Sequence, residues 1–141
     1  MTFREVQSRY NADIEIRFRD GESEVAGLTR NLFDRYGLIA KSFVNIYERG
    51  FPFEFNDDQI EHITKHEIGH ALGLGHANFD NSLMATRVHY DSDTISNCEV
   101  EAVIEANYLR LRNEVGEGGV EGTNYHIHHP NSRYIECDSK V

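Results

Sequence analysis

The sequence lacks several features that would assign it to other classes of protein. No apolar run approaches the ~20 residues that a membrane-spanning helix needs, so we expect no membrane insertion. Basic side chains number only 14 against 24 acidic ones, for a formal net charge of −10. This charge argues against nucleic acid and anionic membranes as partners. The N-terminus has no charged-then-apolar leader, which predicts a cytoplasmic protein as written and a secreted one if a leader has been removed.

Cysteine is also scarce, with only Cys98 and Cys137 in the chain. A disulfide between them would close a loop of about 39 residues in an oxidising compartment. Free thiols are equally consistent with an intracellular protein, so the cysteines leave the compartment open. With 141 residues, 39% of them hydrophobic, the chain can bury roughly two-thirds of its unfolded surface, which is enough for one core.

The most informative stretch of the sequence begins at His66. An α-helix advances 100° and about 1.5 Å per residue, so His66 and His70 lie one turn apart on one face and can reach the same metal ion. His76 would lie far outside bonding distance if the helix continued. Gly73 supplies the break, because glycine enters the left-handed conformation without a Cβ penalty. Three imidazoles around Zn²⁺ leave the fourth position to water, which is the catalytic pattern of zinc coordination.

Glu67 follows the first of these histidines and is the candidate general base. Its carboxylate can hydrogen-bond a metal-bound water without displacing it. Zinc lowers the pKa of such a water to about 7, so Glu67 can take the proton as the water attacks a carbonyl carbon and can return it to the leaving amine. The ion would also stabilise the developing oxyanion. The residues therefore predict hydrolysis by a zinc-bound water that Glu67 activates.

The same stretch resembles the metzincin zinc endopeptidases. Their signature H-E-x-x-H-x-x-G-x-x-H and the methionine turn after it are matched at every fixed position between His66 and Met84. The methionine stands eight residues after the third histidine, which is similar to the matrixins in particular. The likeness spans about residues 2–112. It implies a zinc endopeptidase acting on a peptide or protein, with one catalytic Zn²⁺ and with Met84 as a hydrophobic floor beneath the metal site.

The chain also departs from the matrixin pattern. Thr86 stands where matrixins usually have a proline in the wall of the main specificity pocket, and where astacin-like relatives have a tyrosine ligand. We therefore expect an altered pocket and no fifth protein ligand. No histidine precedes His62, so we expect no structural zinc of the vertebrate matrixin type. The chain opens at what resembles the second matrixin strand, so the domain is expected to be either minimal or N-terminally truncated.

The hydrophobic pattern predicts strands followed by two main helices, and the resemblance to the metzincins implies an α+β fold in which a small mixed β-sheet packs on an active-site helix and a C-terminal helix. The predicted strands are a first short one ending at Val6 and three more at residues 14–18, 28–33 and 38–47, with loops at 21–27 and 48–52. The active-site helix is predicted to begin with a capping box at residues 56–59. The final helix should run from Asp93 or Thr94 to about Asn113, with its apolar side formed by Val100, Val103, Ile104 and Leu111. Residues 1–113 would form the catalytic domain and residues 114–141 a tail containing glycine, acidic residues and histidine.

Several histidines lie outside the signature. His62 is one turn before His66, and because the metal site is already filled we predict that it lies on a solvated helix face. The tail carries three histidines that could bind a transition metal, although a tail strand or a disordered end is the default expectation. These are His126, His128 and His129.

Alternatives to an active peptidase stay open at this level. One is a non-catalytic zinc-binding domain of the same type, or an inactive fragment. Another is a zinc peptidase whose third ligand is Glu99 or Glu101 instead of His76. If residues 28–33 form the sheet edge beside the cleft, an extended peptide could pair with them as an added strand. A monomer is the default expectation.

Overall fold

Three long strands and two helices make up most of the computed structural model, which describes residues 2–50, 53–87 and 94–108 and the backbone of Tyr134–Ile135. The elements in chain order are a 3₁₀ turn Arg9–Asn11, β1 Ile14–Ser23, β2 Gly27–Phe33, β3 Ile39–Gly50, α1 Asp57–Ala71, β4 His76–Ala77, α2 Asn97–Ala106 and β5 Tyr134–Ile135. This architecture confirms the predicted α+β fold with a small mixed sheet.

The main sheet has the strand order β1-β3-β2, with β1 parallel and β2 antiparallel to β3. Successive side chains of a strand point to opposite faces, and the inward face of β3 carries Ser42, Val44 and Ile46, all fully buried. The two apolar members of this set pack with Ile63 and Ala71 of α1 in one core cluster. The helix is thereby fixed on the sheet, and β2 is left as a free edge beside it.

Helix α1 has the capping box that was predicted. The Asn56 side chain accepts a hydrogen bond from the backbone N–H of Gln59, and the Gln59 side chain accepts one from the backbone N–H of Asn56. At the other end Gly73 has φ +95°. The N–H of Gly73 donates to the His70 carbonyl and that of Leu74 to the Gly69 carbonyl, each at 3.0 Å. This is a Schellman motif, which ends the helix and turns the chain back toward it.

The predicted final helix needs correction. Its N-cap is Ser96, in a second capping box with Glu99, and it begins at Asn97 and ends at Ala106. Asp93 and residues 109–113 lie outside the described part of the chain. The helix packs through Cys98, Ala102 and Val103, whereas Val100 and Ile104 are 47% and 41% exposed. Val100 and Ile104 were therefore wrongly assigned to the apolar side, because the packed face of the helix is the one that carries Cys98, Ala102 and Val103. Leu111 is not among the described residues.

One predicted strand is absent, and two strands end later in the sequence than predicted. Residues 2–7 form no strand and do not join the sheet. Strands β1 and β3 instead continue to Ser23 and Gly50, which pair with each other beyond a register shift after Arg19. Backbone pairing thus overrides the turn-like composition of residues 21–23 and 48–50.

Of the predicted tail, the structure describes only a short strand. Tyr134–Ile135 pairs in parallel with His76–Ala77 as a two-stranded sheet, and the tail histidines His126, His128 and His129 lie outside the described residues.

Cys98 is disulfide-bonded. Of the disulfide and the free thiol that the sequence left open for this residue, the structure therefore has the disulfide. Within the described ranges no helix has the length and apolar character needed to cross a membrane.

Candidate metal and catalytic site

The three histidines of the signature meet at one point. His66 and His70 project from α1, and His76 projects from β4 after the Schellman turn. The Nε2 atom of His70 lies 3.1 Å from that of His66 and 3.3 Å from that of His76. One ring nitrogen from each residue lies within 4.8 Å of the others, and among the described residues this is the one group that could hold a metal ion.

Backbone carbonyls behind the rings orient two of these ligands. The Nδ1 atom of His66 lies 2.7 Å from the Leu83 carbonyl oxygen, and that of His70 lies 2.8 Å from the Leu74 carbonyl oxygen. A carbonyl oxygen can only accept, so each Nδ1 carries the hydrogen and each Nε2 presents a lone pair. Lone pairs this close repel one another unless a cation lies between them. The donor set therefore suits Zn²⁺, whose histidine ligands are commonly held from behind in this way.

The surroundings also favour the neutral form of His66 and His76. Burial lowers the pKa of His66 to about 4; the hydrogen bond to the Leu83 carbonyl acts in the opposite direction, and the adjacent His70 and His76 add smaller lowering effects. Burial and the nearby His70 likewise lower the pKa of His76. Because a metal competes with protons for the ring nitrogen, lowered pKa values leave the nitrogens available at neutral pH.

Glu67 lies against the edge strand β2. Its side chain is only 6% exposed, and the Thr29 hydroxyl donates to Oε2 at 2.6 Å. Burial raises the pKa of the Glu67 carboxyl, while the Thr29 hydrogen bond and nearby His70 act in the opposite direction. The carboxyl and the three histidines line an open cleft of about 640 Å³, whose other walls include the edge of β2 and Thr86.

Side chains from three elements hold the C-terminal end of α1, whose last carbonyls have no partner within the helix. Asn31 of β2 donates to the His70 carbonyl at 2.8 Å. Ser42 of β3 donates to the Asn31 side-chain oxygen at 2.8 Å, and its hydroxyl oxygen lies 3.2 Å from the Ala71 carbonyl oxygen. Asn107 donates to the Leu72 carbonyl at 2.8 Å. The turn between the second and third histidines is therefore fixed to the sheet and to the region after α2.

Met84 lies directly beneath the histidine-bearing turn of α1. It is fully buried and packs with Leu74 and Ala77. A Cβ added at Gly69 would lie 3.0 Å from the Met84 Cε and closer still to its sulfur, so no larger residue fits there. This close packing is what a hydrophobic floor beneath the metal site requires.

The chain before Met84 is held by Glu99 of α2, which is 2% exposed. Its carboxylate accepts from the Ser82 hydroxyl at 2.6 Å, the Leu83 N–H at 2.7 Å and the Ser96 N–H at 2.7 Å. Burial alone would raise the pKa of Glu99, but the hydrogen bonds from these residues outweigh it and leave the pKa lowered. Leu83 in turn supplies the carbonyl that orients His66.

One expectation about a nearby residue is wrong, and one alternative that the sequence left open is not supported. His62 is only 4% exposed, so it does not lie on a solvated face, although it stands outside the metal group. Its neighbour Ile63 is buried as well, which shows that this part of α1 is covered on more than one side. Glu99 and Glu101 do not replace His76 as the third ligand, because Glu99 is engaged by the Ser82–Leu83 backbone and Glu101 is exposed.

The sequence interpretation missed Gly27, Thr29 and Asn31 as parts of the site. Their alternation on one face of a predicted strand was a readable signal, since small and polar residues at inward positions of an otherwise apolar sheet need partners. The anchoring role of Glu99 was signalled by the pattern S-x-x-E at residues 96–99, although nothing in that pattern indicates the contact with Leu83.

Comparison with known proteins supports a family assignment. A family model described as matrixin matches residues 1–107. Matrix metalloproteinase-19 of Homo sapiens is 34% identical over 96 residues, which cover 60% of this chain and 18% of that protein. The Mus musculus protein of the same name is 34% identical over 96 residues, covering 60% and 17%. The chain thus spans less than a fifth of the length of these relatives, and no solved structure matches it significantly.

Proposed function

This chain belongs to the matrixin family of zinc metalloproteases, and on that premise we propose that it is a zinc-dependent endopeptidase with Glu67 as its general base. The proposed zinc ligands are His66, His70 and His76. The observation that carries the proposal is the meeting of three Nε2 atoms beside a buried carboxylate in an open cleft. The substrate class is a peptide or protein. The expected absence of a structural zinc stays a prediction.

The chain's own residues supply binding and proton transfer. A zinc ion held here would lower the pKa of a water and polarise the substrate carbonyl. Glu67 would accept the proton of the attacking water and then donate it to the leaving amine, a use that suits a carboxyl whose pKa burial raises above its ordinary value. An extended substrate would lie along β2, whose edge lines the cleft.

The deciding test is cleavage of a peptide library by the purified chain, with and without a chelator, alongside Glu67→Gln. The substitution keeps the size of the side chain but removes the proton acceptor, so we expect cleavage to fall by about 10²-fold or more. Bound zinc should remain at one equivalent. The matched control is Glu61→Gln on the same helix, where Glu61 is exposed and pairs with Lys65 at 2.7 Å; its activity should not change.

Two results would contradict this proposal in different ways. Cleavage that survives Glu67→Gln removes Glu67 from the mechanism. Absence of cleavage despite one tightly bound zinc would favour the alternative of a non-catalytic zinc-binding domain or inactive fragment.

A further inference from the structure

We propose that Thr29 is a positioning residue for the general base, because its hydroxyl on the edge strand holds the Glu67 carboxylate in place across the cleft. The inference rests on the proposed function, in which Glu67 moves the proton. It assigns a role to a residue of β2, whereas the metal ligands and the base come from α1 and β4.

The contact has the geometry of a strong hydrogen bond. The Thr29 Oγ1 atom lies 2.6 Å from Glu67 Oε2 and 3.0 Å from the Glu67 backbone oxygen. A hydroxyl has one hydrogen, and a carboxylate is a stronger acceptor than an amide carbonyl. The shorter distance falls in the range of charge-assisted O–H···O⁻ bonds. The Thr29 hydrogen is therefore donated to the carboxylate.

A second position on the same strand limits the carboxylate from its other side. Gly27 and Thr29 share the inward face of β2, since they pair with the inward residues Ile46 and Val44 of β3. A Cβ at Gly27 would lie 2.6 Å from Glu67 Oε1. Strand β2 thus places the Thr29 hydroxyl against Oε2. At residue 27 the absence of a side chain leaves the room that Oε1 occupies.

The arrangement fixes one oxygen of Glu67. Thr29 donates to Oε2, and the Glu67 side chain lines the cleft together with the three histidines. With Oε2 held by Thr29, the carboxylate is oriented before substrate arrives. Such orientation matters because a misplacement of about 1 Å can cost about 10² in rate.

The experiment compares two substitutions at residue 29 in the zinc-loaded chain. Thr29→Val keeps the shape and removes the hydroxyl, whereas Thr29→Ser keeps the hydroxyl. We expect kcat for a peptide substrate to fall about tenfold or more in Thr29→Val, with KM within about twofold. Thr29→Ser should stay within about threefold of the wild-type kcat. Retention of kcat by Thr29→Val would overturn the proposal.

A purely structural role must be separated from positioning, since Thr29 also joins β2 to α1. The matched control is Asn56→Ala, which removes the N-cap hydrogen bond from the Gln59 N–H at the start of the same helix without touching Glu67 or the metal ligands. We expect this variant to lower Tm as Thr29→Val does, but to leave kcat unchanged. An equal fall in kcat in both variants would show a general loss of structure instead.

A second readout does not depend on activity. In the metal-free chain, a double-mutant cycle with Thr29→Val and Glu67→Ala should show a coupling of about tenfold in the unfolding equilibrium constant. Independent effects would overturn the contact whatever the activity. If the wild-type chain cleaves nothing, the peptidase proposal fails and the catalytic role of Thr29 falls with it, while the cycle still reports whether Thr29 holds the carboxylate.

Discussion

Glu99 reaches the histidine cluster without touching it. Its buried carboxylate fixes the backbone N–H of Leu83, and the carbonyl of the same residue accepts the Nδ1 hydrogen of His66. One peptide segment therefore transmits the position of α2 to a ligand on α1. Outer partners of this kind set the tautomer and direction of a ligating imidazole.

Replacing Glu99 by glutamine should weaken both the fold and the metal site. The glutamine side chain would offer one acceptor oxygen where the carboxylate offers two, so we expect Glu99→Gln to lower the free energy of unfolding by about 2 kcal/mol at pH 7. Zinc affinity should fall about tenfold, because the carbonyl behind His66 is no longer held. Urea unfolding and zinc titration would measure the two effects.

The pH dependence of that difference follows from the lowered pKa of Glu99. A carboxyl with a lowered folded pKa stabilises the protein above its unfolded pKa near 4.5, and this contribution is lost as pH falls through the folded value below 4.5. The stability gap between wild type and Glu99→Gln should therefore shrink in that range. Glu101→Gln, at an exposed position of the same helix, is the control and should stay within about 0.5 kcal/mol of wild type at every pH. A gap that persists at low pH would show that the loss comes from packing.

At the scale of elements, strand β2 has two roles. Its inward residues hold α1, with Thr29 on Glu67 and Asn31 on the His70 carbonyl. Its outer backbone edge pairs with no strand of the three-stranded sheet and lines the cleft. A free edge next to a metal site is suited to hold an extended peptide by main-chain hydrogen bonds.

We predict that a substrate peptide binds as an added strand on β2. In a strand, alternate N–H groups face the neighbour. N-methylation of a substrate-mimicking peptide should therefore weaken binding to the Glu67→Gln chain about tenfold at alternate residues and leave the residues between them nearly unaffected. Calorimetric titration of a methylation series measures this. Equal effects at all positions, or a bound peptide away from β2 in a complex structure, would contradict the prediction.

At the scale of the whole molecule, the histidine site joins several segments of the chain. Two ligands lie on α1, the third follows the Gly73 turn, and the chain up to Met84 closes the site from below. A metal that binds the folded arrangement and not the unfolded chain stabilises all of these segments together.

Zinc should therefore raise the stability of the entire domain. Free zinc at 100 times its Kd should increase the free energy of unfolding by about 2.7 kcal/mol and raise Tm by several degrees. His76→Ala should lose most of this shift, because it leaves only the two ligands on α1. Thermal unfolding with zinc and with EDTA is the measurement. An equal zinc-induced shift in His76→Ala would mean that the metal binds elsewhere.

Local rules were sufficient to predict much of this molecule. The period-two pattern predicted the core of β1, and the apolar residues of 28–33 and 38–47 predicted those of β2 and β3. Asn56 and Gln59 predicted the start of α1, and Gly73 predicted its end. Each of these features depends on residues within a few positions of one another, where helix geometry, capping and glycine conformation act directly.

Contacts between segments distant in the sequence account for the rest. The lengths of β1 and β3, the burial of His62 and the face of α2 that packs all depend on which element lies opposite, and short-range pattern does not report this. The histidine spacing placed two imidazoles on one helical turn. Other segments of the chain supply the carbonyls behind these imidazoles, Met84 beneath them and Thr29 on Glu67. A metal site needs support from several directions, and a single helix can support it from only one direction.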